Sequence, residues 1–595
     1  MTDLNLGVIG NCSFGALVDG VGRIVWACMP RFDSDPVFCA LLDQGNEGAA
    51  RGVYALALEN QVRSEQEYLK NTAILITRLY DDNGAAIEIT DFAPRFHQHG
   101  RSYRPTMIVR TVRSIAGLPR IRVVLRPAVD YGAARPAITR GGNHVRYVGA
   151  ELTLRLTTDA PIAYVLDETP FLLEESLGFI LGPDETFPRA VSGGCRWLFE
   201  NTAAYWREWV RLMTVPLEWQ DAVIRAAITL KLSSFEETGA IVAAMTTSIP
   251  EVANSGRNWD YRYCWLRDAF FVVRALNRLG VVSMMENYLR YVLNILVTSH
   301  DGHLQPVYGI ALESLLTERE VTSLPGYRGM GPVRVGNQAF EHVQNDVYGH
   351  VILAATQAFF DERLLRPAGI DDFHRLERAG DRAYELHDQP DAGMWELRTR
   401  SHVHTSSSVM CWAALDRLSK IADHIGLQER ASHWSERAQT VRRTILHKAW
   451  NEDRQSFVES FGGGGVDGGL LLISDVGLLP ATDERFKATV ALAEQELRRG
   501  NHLMRYVAED DLGRPKNAFN ICTFWYIDAL VALERVDEAR EVFEGMLLAR
   551  NHLGLLSEDT DPDTREAWGN FPQTYSLVGI INSAMSLSKG WESVL

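Results

Sequence analysis

The sequence predicts a multidomain α and β protein: an N-terminal antiparallel β-sandwich followed by a ring of paired α-helices. Three observations carry this. The first two hundred or so residues are short runs rich in Val, Ile, Thr and Tyr, separated by Asn-Gly, Asp-Gly and Pro signals. The pattern changes to helical periodicity near "ENTAAYWREWVRLM". From about Trp219 onward nearly every long segment reads as a helix, joined to the next by loops carrying Gly, Pro and aromatics.

In order, the strand candidates are "GALVDGVGRIVWACMP", "AILITRLYDDNGAAIEITDFAP", "PTMIVRTVRSIAG", "IRVVLRPAVDYG" and "HVRYVGAELTLRLTTDAPIAYVL". The helical candidates begin with "DAVIRAAITLKLSSFEET" and "MMENYLRYVLNILVTS" and continue to "CTFWYIDALVALERV" and "DEAREVFEGMLLARN". There are roughly a dozen, which a ring of nearly apolar inner helices and amphipathic outer ones accommodates. Function then belongs on the long loops at one end of the ring. The expected division is a sandwich over 1–203, a helical linker with the first ring helix over 204–240, and the catalytic ring over 241–595. With no low-complexity linker between them, the parts are expected to pack together.

The bulk properties exclude several classes. The chain of 595 residues is 46% hydrophobic with a net charge of −16, a soluble composition that disfavours nucleic acid and anionic membranes as partners. The seven cysteines are odd in number, widely spaced and without a Cys-x-x-Cys, so reduced thiols in a cytoplasmic protein are expected. "MTDLNLGVIGN" lacks a basic start and a long apolar core, so no signal peptide is expected, and no run of about 18 apolar residues suggests a membrane span. The glycine-rich "FGGGGVDGGLLLIS" (Phe461 to Ser474) lacks the Lys-Ser/Thr of a phosphate loop and reads as a flexible connector. The pairs His97/His99 and His402/His404 have no third ligand at metal spacing, so no metal and no cofactor are expected. Oligomeric state stays open, a homo-oligomer included.

"RNWDYRYCWLRD" (Arg257 to Asp268) concentrates aromatic rings and charges in one stretch. Sugars ask for that mixture, because their C–H faces stack on aromatic rings while their hydroxyls need fixed, often charged, partners. Tyr261, Tyr263, Trp265, Arg267 and Asp268 fit a sugar pocket; a structural salt bridge with a packed aromatic cluster is the alternative. Glycoside hydrolysis needs two carboxyl groups. Glu396 directly follows Trp395 in "DAGMWELRTR", and Glu558 follows an apolar Leu-Leu-Ser in "NHLGLLSEDTDP". Apolar, aromatic surroundings of this kind keep one carboxyl protonated near neutral pH.

Taken in order, "RNWDYRYCWLRD", "PVRVGNQAFEHVQNDVYG", "MWELR", "RYVAEDDLG", "FWYIDAL", "GLLSEDTDP" and "GNFPQTYS" resemble glycoside hydrolase family 15, which holds glucoamylases, glucodextranases and certain prokaryotic trehalases. The N-terminal "GALVDGVGRIVWACMPRFDSDPVFCALL" looks like the start of its prokaryotic members. The resemblance implies an (α/α)6 barrel behind a β-sandwich and inversion of an α-glucoside to β-glucose. It implies Glu396 as general acid within a Trp395-Glu396 motif, and Glu558 as general base. It also implies Arg267 and Asp268 on the hydroxyls of the innermost glucose, Tyr261 close to the ring oxygen and the acid, and Arg505-Tyr506 on the same sugar. Trp265 is counted with the binding residues; Asp260 is expected to be structural.

Two departures stand out. Fungal glucoamylases carry a second acid after the catalytic one, where this chain has Leu397 and then Arg398, so a different second-sugar pocket is expected. In "DVYGHV" His350 stands where the prokaryotic pattern often has Glu. A small α-linked disaccharide is the expected substrate, trehalose first, with maltose or isomaltose next. A phosphorylase and a non-catalytic sugar-binding protein rank below, since both glutamates are present. The loops Leu315 to Gly331 and "PRFDS" (Pro30 to Ser34) are candidates for shaping the pocket mouth.

Overall fold

A computed structural model of the chain describes residues 3–43, 51–299 and 302–591. The N-terminal part is two antiparallel sheets. The first runs in the order Gly7–Gly10, Gly15–Val18, Ile24–Cys28, Val53–Leu58, Arg120–Arg126 and Phe171–Leu172, with Pro36–Phe38 on the side of Ile24–Cys28. The second runs Ala137–Arg140, His144–Val148, Thr153–Thr158, Leu177–Pro183, Ile108–Ala116, Ala86–Phe92, Leu75–Asp81 and Gln61–Tyr68. Alternation places Ile87, Ile89, Val112, Val123, Leu154 and Leu156 in the shared core, as a two-layer sandwich requires. The helix Val191–Arg211 lies against Leu177–Pro183 and contains residue 203, where the sequence placed the end of the sandwich.

The remainder is an (α/α)6 barrel. Its inner ring, among the described residues, passes through Ala269–Arg278, Val347–Phe360, Thr405–His424, the short pair Gly468–Leu471 and Leu472–Asp475, Asn520–Ala532 and Thr574–Leu587, each packed on the next and the last on the first. Outside them lie Gln220–Leu232, Val282–Thr298, Ile370–Leu386, Gln428–Lys448, Glu484–Leu497 and Val536–Leu548. The patterning explains the two layers. Val347–Phe360 is apolar almost all round and buried on most of its faces, whereas Gln428–Lys448 buries only a stripe of Ala431, Trp434, Ala438, Val441 and Ile445.

One sequence expectation is corrected. The stretch "FGGGGVDGGLLLIS" is a connector only in its first half; from Asp467 it is buried and supplies the fourth inner element of the ring. Its few residues and its glycines hide it from a periodicity search, which needs two or three turns to register a helix.

The sandwich supports the aromatic and charged stretch from behind. Arg262 and Asp260, both fully buried, form an ion pair at 2.7 Å. Arg262 also donates to the Ser34 carbonyl at 2.9 Å and to the Tyr131 hydroxyl at 3.0 Å. The "PRFDS" loop thus anchors this segment and is absent from the lining of the cavity described below. Trp26 adds an indole bond to the Met245 carbonyl at 2.8 Å. No helix among the described residues is long and apolar enough to cross a membrane.

Candidate active site

At the loop end of the barrel lies a cavity of about 960 Å³, open mouth included. It collects Tyr261, Trp265, Arg267, Asp268, Trp395, Glu396, Arg505 and Glu558 from four separate segments. Tyr506, the remaining residue expected to touch sugar, does not line it. Its hydroxyl donates to Asp510 and its ring packs edge-on against Trp395 at 6.0 Å. The floor is Asp268, Trp525 and Tyr575, all buried. The Trp525 indole N–H and the Tyr575 hydroxyl have no partner among the described residues, and Asp268 starts the helix Ala269–Arg278 without capping it. Unpaired donors and a carboxylate at the bottom of a pocket are costly unless a polar ligand meets them.

Glu396 sits in a turn closed by its own N–H on the Gly393 carbonyl at 3.1 Å. Its φ is +59°, a left-handed conformation that non-glycine residues adopt at a cost and that concentrates at functional positions. Gly393, at φ +65°, faces the His404 ring so closely that a Cβ would stand 2.7 Å from Nδ1. His404 is fixed by Asp391 at 2.8 Å, and Asp391 also accepts from Ser407 at 2.7 Å. Trp395 is anchored through its indole N–H on Asp467 at 2.8 Å. Two buried acids therefore hold the turn that presents Glu396.

Glu558 is held on the opposite wall. Its Oε2 accepts the Asn570 N–H at 3.2 Å, and its backbone N–H donates to the Asn570 carbonyl at 3.1 Å. Tyr261 bears on its carboxyl from the same cavity. Gly569, at φ +72°, passes so close that a Cβ would come within 2.6 Å of the carboxyl, which only glycine allows. Tyr261 lines the cavity with both carboxyls and is acted on by the charges of Glu558 and Glu396 alike.

The electrostatics of the cavity order the two carboxyls. Burial penalises a charge on Glu396, but Arg267 at 2.8 Å, nearby His342 and the Trp265 indole N–H at 2.7 Å hold it below its usual range. Burial first, and then the negative charge of Glu251, push Glu558 up to about 8. Asp559 next door is also raised, by burial and by Glu558 and Glu251. Asp268 is lifted to about 7, chiefly by burial. The two carboxyls are thus pushed apart: Arg267 favours the ionised form of Glu396, while burial and Glu251 favour the protonated form of Glu558.

Comparison with known proteins completes the picture. The model of glycosyl hydrolases family 15 matches residues 219–585, and a trehalase-like N-terminal model matches residues 5–166. The chain belongs to glycoside hydrolase family 15. Curated relatives include a trehalase of Thermoplasma volcanium, 31% identical over 98% of this chain and 93% of the relative, and a trehalase of Mycobacterium tuberculosis, 30% identical over 97% and 88%. A bacterial glucoamylase solved with acarbose shares the fold with a TM-score of 0.72 at 12% identity, covering 98% of this chain and 93% of that one. This family 15 protein is a glycoside hydrolase.

Several residues that build the site escaped the sequence reading. Glu251 is buried and bridges the site: one oxygen accepts from the Trp259 indole at 3.0 Å and the other pairs with Arg505 at 2.6 Å. Nothing in "SIPEVANSG" marks it, since a lone Glu in a loop reads as a surface charge. Trp259 stood in the quoted aromatic stretch but matched no motif position. Asp467 lay in the glycine-rich run set aside as a connector. His350 is fully buried against Asp346 at 3.5 Å, with the Phe271 ring 5.8 Å away; it lies beneath the cavity and not in its lining.

Proposed function

We propose that this enzyme hydrolyses trehalose to glucose by an inverting, exo-acting mechanism. The observation that carries the reading is the convergence of Glu396 and Glu558 on one closed-bottomed cavity beside Arg267, Asp268 and Arg505. Full-length relatives named trehalase support the choice of substrate.

The non-reducing glucose enters first, its hydroxyls taken by Asp268, Arg267 and Arg505 at the floor. Glu396, protonated, gives its proton to the glycosidic oxygen as the C1–O bond breaks. Glu558, ionised, removes a proton from a water on the opposite face, and the water oxygen bonds C1 of the oxocarbenium-like transition state. Proton count balances: one leaves Glu396 for the departing glucose, one arrives on Glu558 from water. Tyr261 orients Glu558. Arg267 and Trp265 orient Glu396, and a sugar hydroxyl that draws Arg267 away from Glu396 favours the protonated form of the acid.

The partner of the site is thus a small α-glucoside. A cytoplasmic location belongs to the same proposal; the seven thiols are all buried and free. Incubating the purified protein with trehalose, maltose and isomaltose, without phosphate, and measuring glucose tests the reading. Trehalose is expected to give the highest kcat/KM. A preference for either of the other two overturns the substrate, and a strict need for phosphate overturns hydrolysis.

A further inference from the structure

The cavity has a direction. Its floor residues Asp268 and Tyr575 are 8% and 3% exposed, while Leu512 at its rim is 43% exposed. The acid protonates the oxygen that leaves with the second sugar, so that sugar lies on the outward side of Glu396. The wall there is Leu397 and Arg398, the two residues that follow the acid.

Arg398 is built in, although it stands near the rim. Its guanidinium lies over the Trp259 ring at 4.1 Å, a cation–π distance. Its two terminal nitrogens meet Glu318 at 3.3 and 3.1 Å, and one also donates to Gln338 at 3.1 Å. Its backbone N–H and that of Thr399 both donate to the Asp511 carboxylate, at 2.5 and 3.1 Å. The strand of chain after the acid is thereby strapped to the 509–513 loop, which Arg400 reinforces through the Glu509 carbonyl at 2.7 Å. Arg334 also stacks on Trp259, at 4.9 Å. With guanidinium groups on the ring, Trp259 offers a sugar its edge and leaves Arg398 as the group met by whatever sits outside the acid.

We infer that Arg398, braced by Trp259, Glu318 and Asp511, is the specificity-determining residue on the leaving-sugar side: it donates to the hydroxyls of the second glucose and obstructs a third. The inference rests on the reading of the reaction as hydrolysis of a glucose disaccharide. The leaving sugar is a compact polyol, and a guanidinium whose plane is fixed by stacking supplies donors at low entropic cost. Glu318, brought by the Leu315 to Gly331 loop, acts on substrate through Arg398, since it lies outside the cavity lining.

The test uses R398A and R398M, the second keeping an unbranched apolar stem over Trp259. For each, kcat/KM is measured on trehalose, on maltotriose and on α-glucosyl fluoride, whose leaving group carries no second sugar. The expected result is a loss on trehalose at least about tenfold larger than the loss on the fluoride, appearing mainly in KM, with the maltotriose-to-trehalose ratio rising. Equal losses on trehalose and fluoride would overturn the inference, as would no loss on either. If the wild-type enzyme prefers another disaccharide, the substrate reading fails, and the same comparison with that disaccharide still decides the role of Arg398. A variant that does not fold is replaced by R398K, which keeps charge but loses the planar fork; undiminished discrimination in R398K counts against the inference.

Discussion

Replacing Glu251 with glutamine removes the charge that orders the two catalytic candidates. The amide keeps the side chain's size and one oxygen, which can accept from the Trp259 indole or face Arg505 but not both, so E251Q removes the charge and one of the two contacts together. What disappears is a negative charge beside Glu558, the second largest cause, after burial, of its rise to about 8. A like charge close to a buried carboxyl raises its pKa by roughly one to two units. Productive turnover needs a proton on Glu396 and none on Glu558, the reverse of the order that Arg267, burial and Glu251 favour. Loss of the last proton from the two glutamates sets the alkaline limb of kcat/KM, and burial with the Glu251 charge, which raise Glu558, move that limb above the usual carboxylate range. Sign follows directly: a lower pKa at Glu558 means the pair loses its proton at lower pH. The limb of E251Q is therefore expected about one to two units below the native one, with the productive microstate enriched by roughly tenfold or more. Stopped-time glucose release at low substrate, across pH, reads this. An alkaline limb that does not move would refute the argument that Glu251 controls the pair.

Other expectations follow from the same geometry. E396Q and E558Q are each expected to lower kcat by orders of magnitude, about 10²-fold or more, with unfolding midpoints near native; retained activity removes the residue from its role. W265F keeps a ring beside Tyr261 but deletes the N–H that holds the Glu396 carboxylate, a charge-assisted bond worth about 1.5–3 kcal/mol. Its acid limb is expected to shift upward, and a shift downward contradicts the assignment. D467L removes the acceptor of the Trp395 indole; kcat is expected to fall about tenfold or more while D467N, which preserves an acceptor, recovers most of it. Gly393→Ala places a methyl against the His404 ring at a left-handed φ and is expected to destabilise the enzyme by about 1–3 kcal/mol in denaturant titration; a neutral effect sinks the packing argument.

Much of this fold can be read along the chain because each part has a clear period. The sandwich strands and the outer helices are amphipathic, and the inner helices are long apolar runs, so both layers of the barrel register. The exception is the short inner element after Asp467, too brief and too rich in glycine to display a period. The site was legible where chemistry is concentrated locally, as in Tyr261, Trp265, Arg267 and Asp268. It was illegible where the relevant property is created by tertiary neighbours. Glu251 is an ordinary Glu until Arg505 and Trp259 surround it. The proton order of Glu396 and Glu558 depends on which wall carries Arg267 and which carries Glu251, and those residues lie more than a hundred positions from one glutamate or the other. Tyr506, by contrast, matched a motif yet packs against Trp395 and under the Arg505 guanidinium, with its hydroxyl taken by Asp510.

The central claim is inverting hydrolysis of trehalose by Glu396 and Glu558, and the anomeric form of nascent glucose tests it most directly. Trehalose joins two α-configured glucoses through their anomeric carbons. Inversion at the attacked carbon gives β-glucose, while the departing glucose keeps its α configuration. Proton NMR in the first minutes, before mutarotation, is therefore predicted to show equal amounts of the α and β anomers. Appearance of the α anomer alone would mean retention, and would contradict the account.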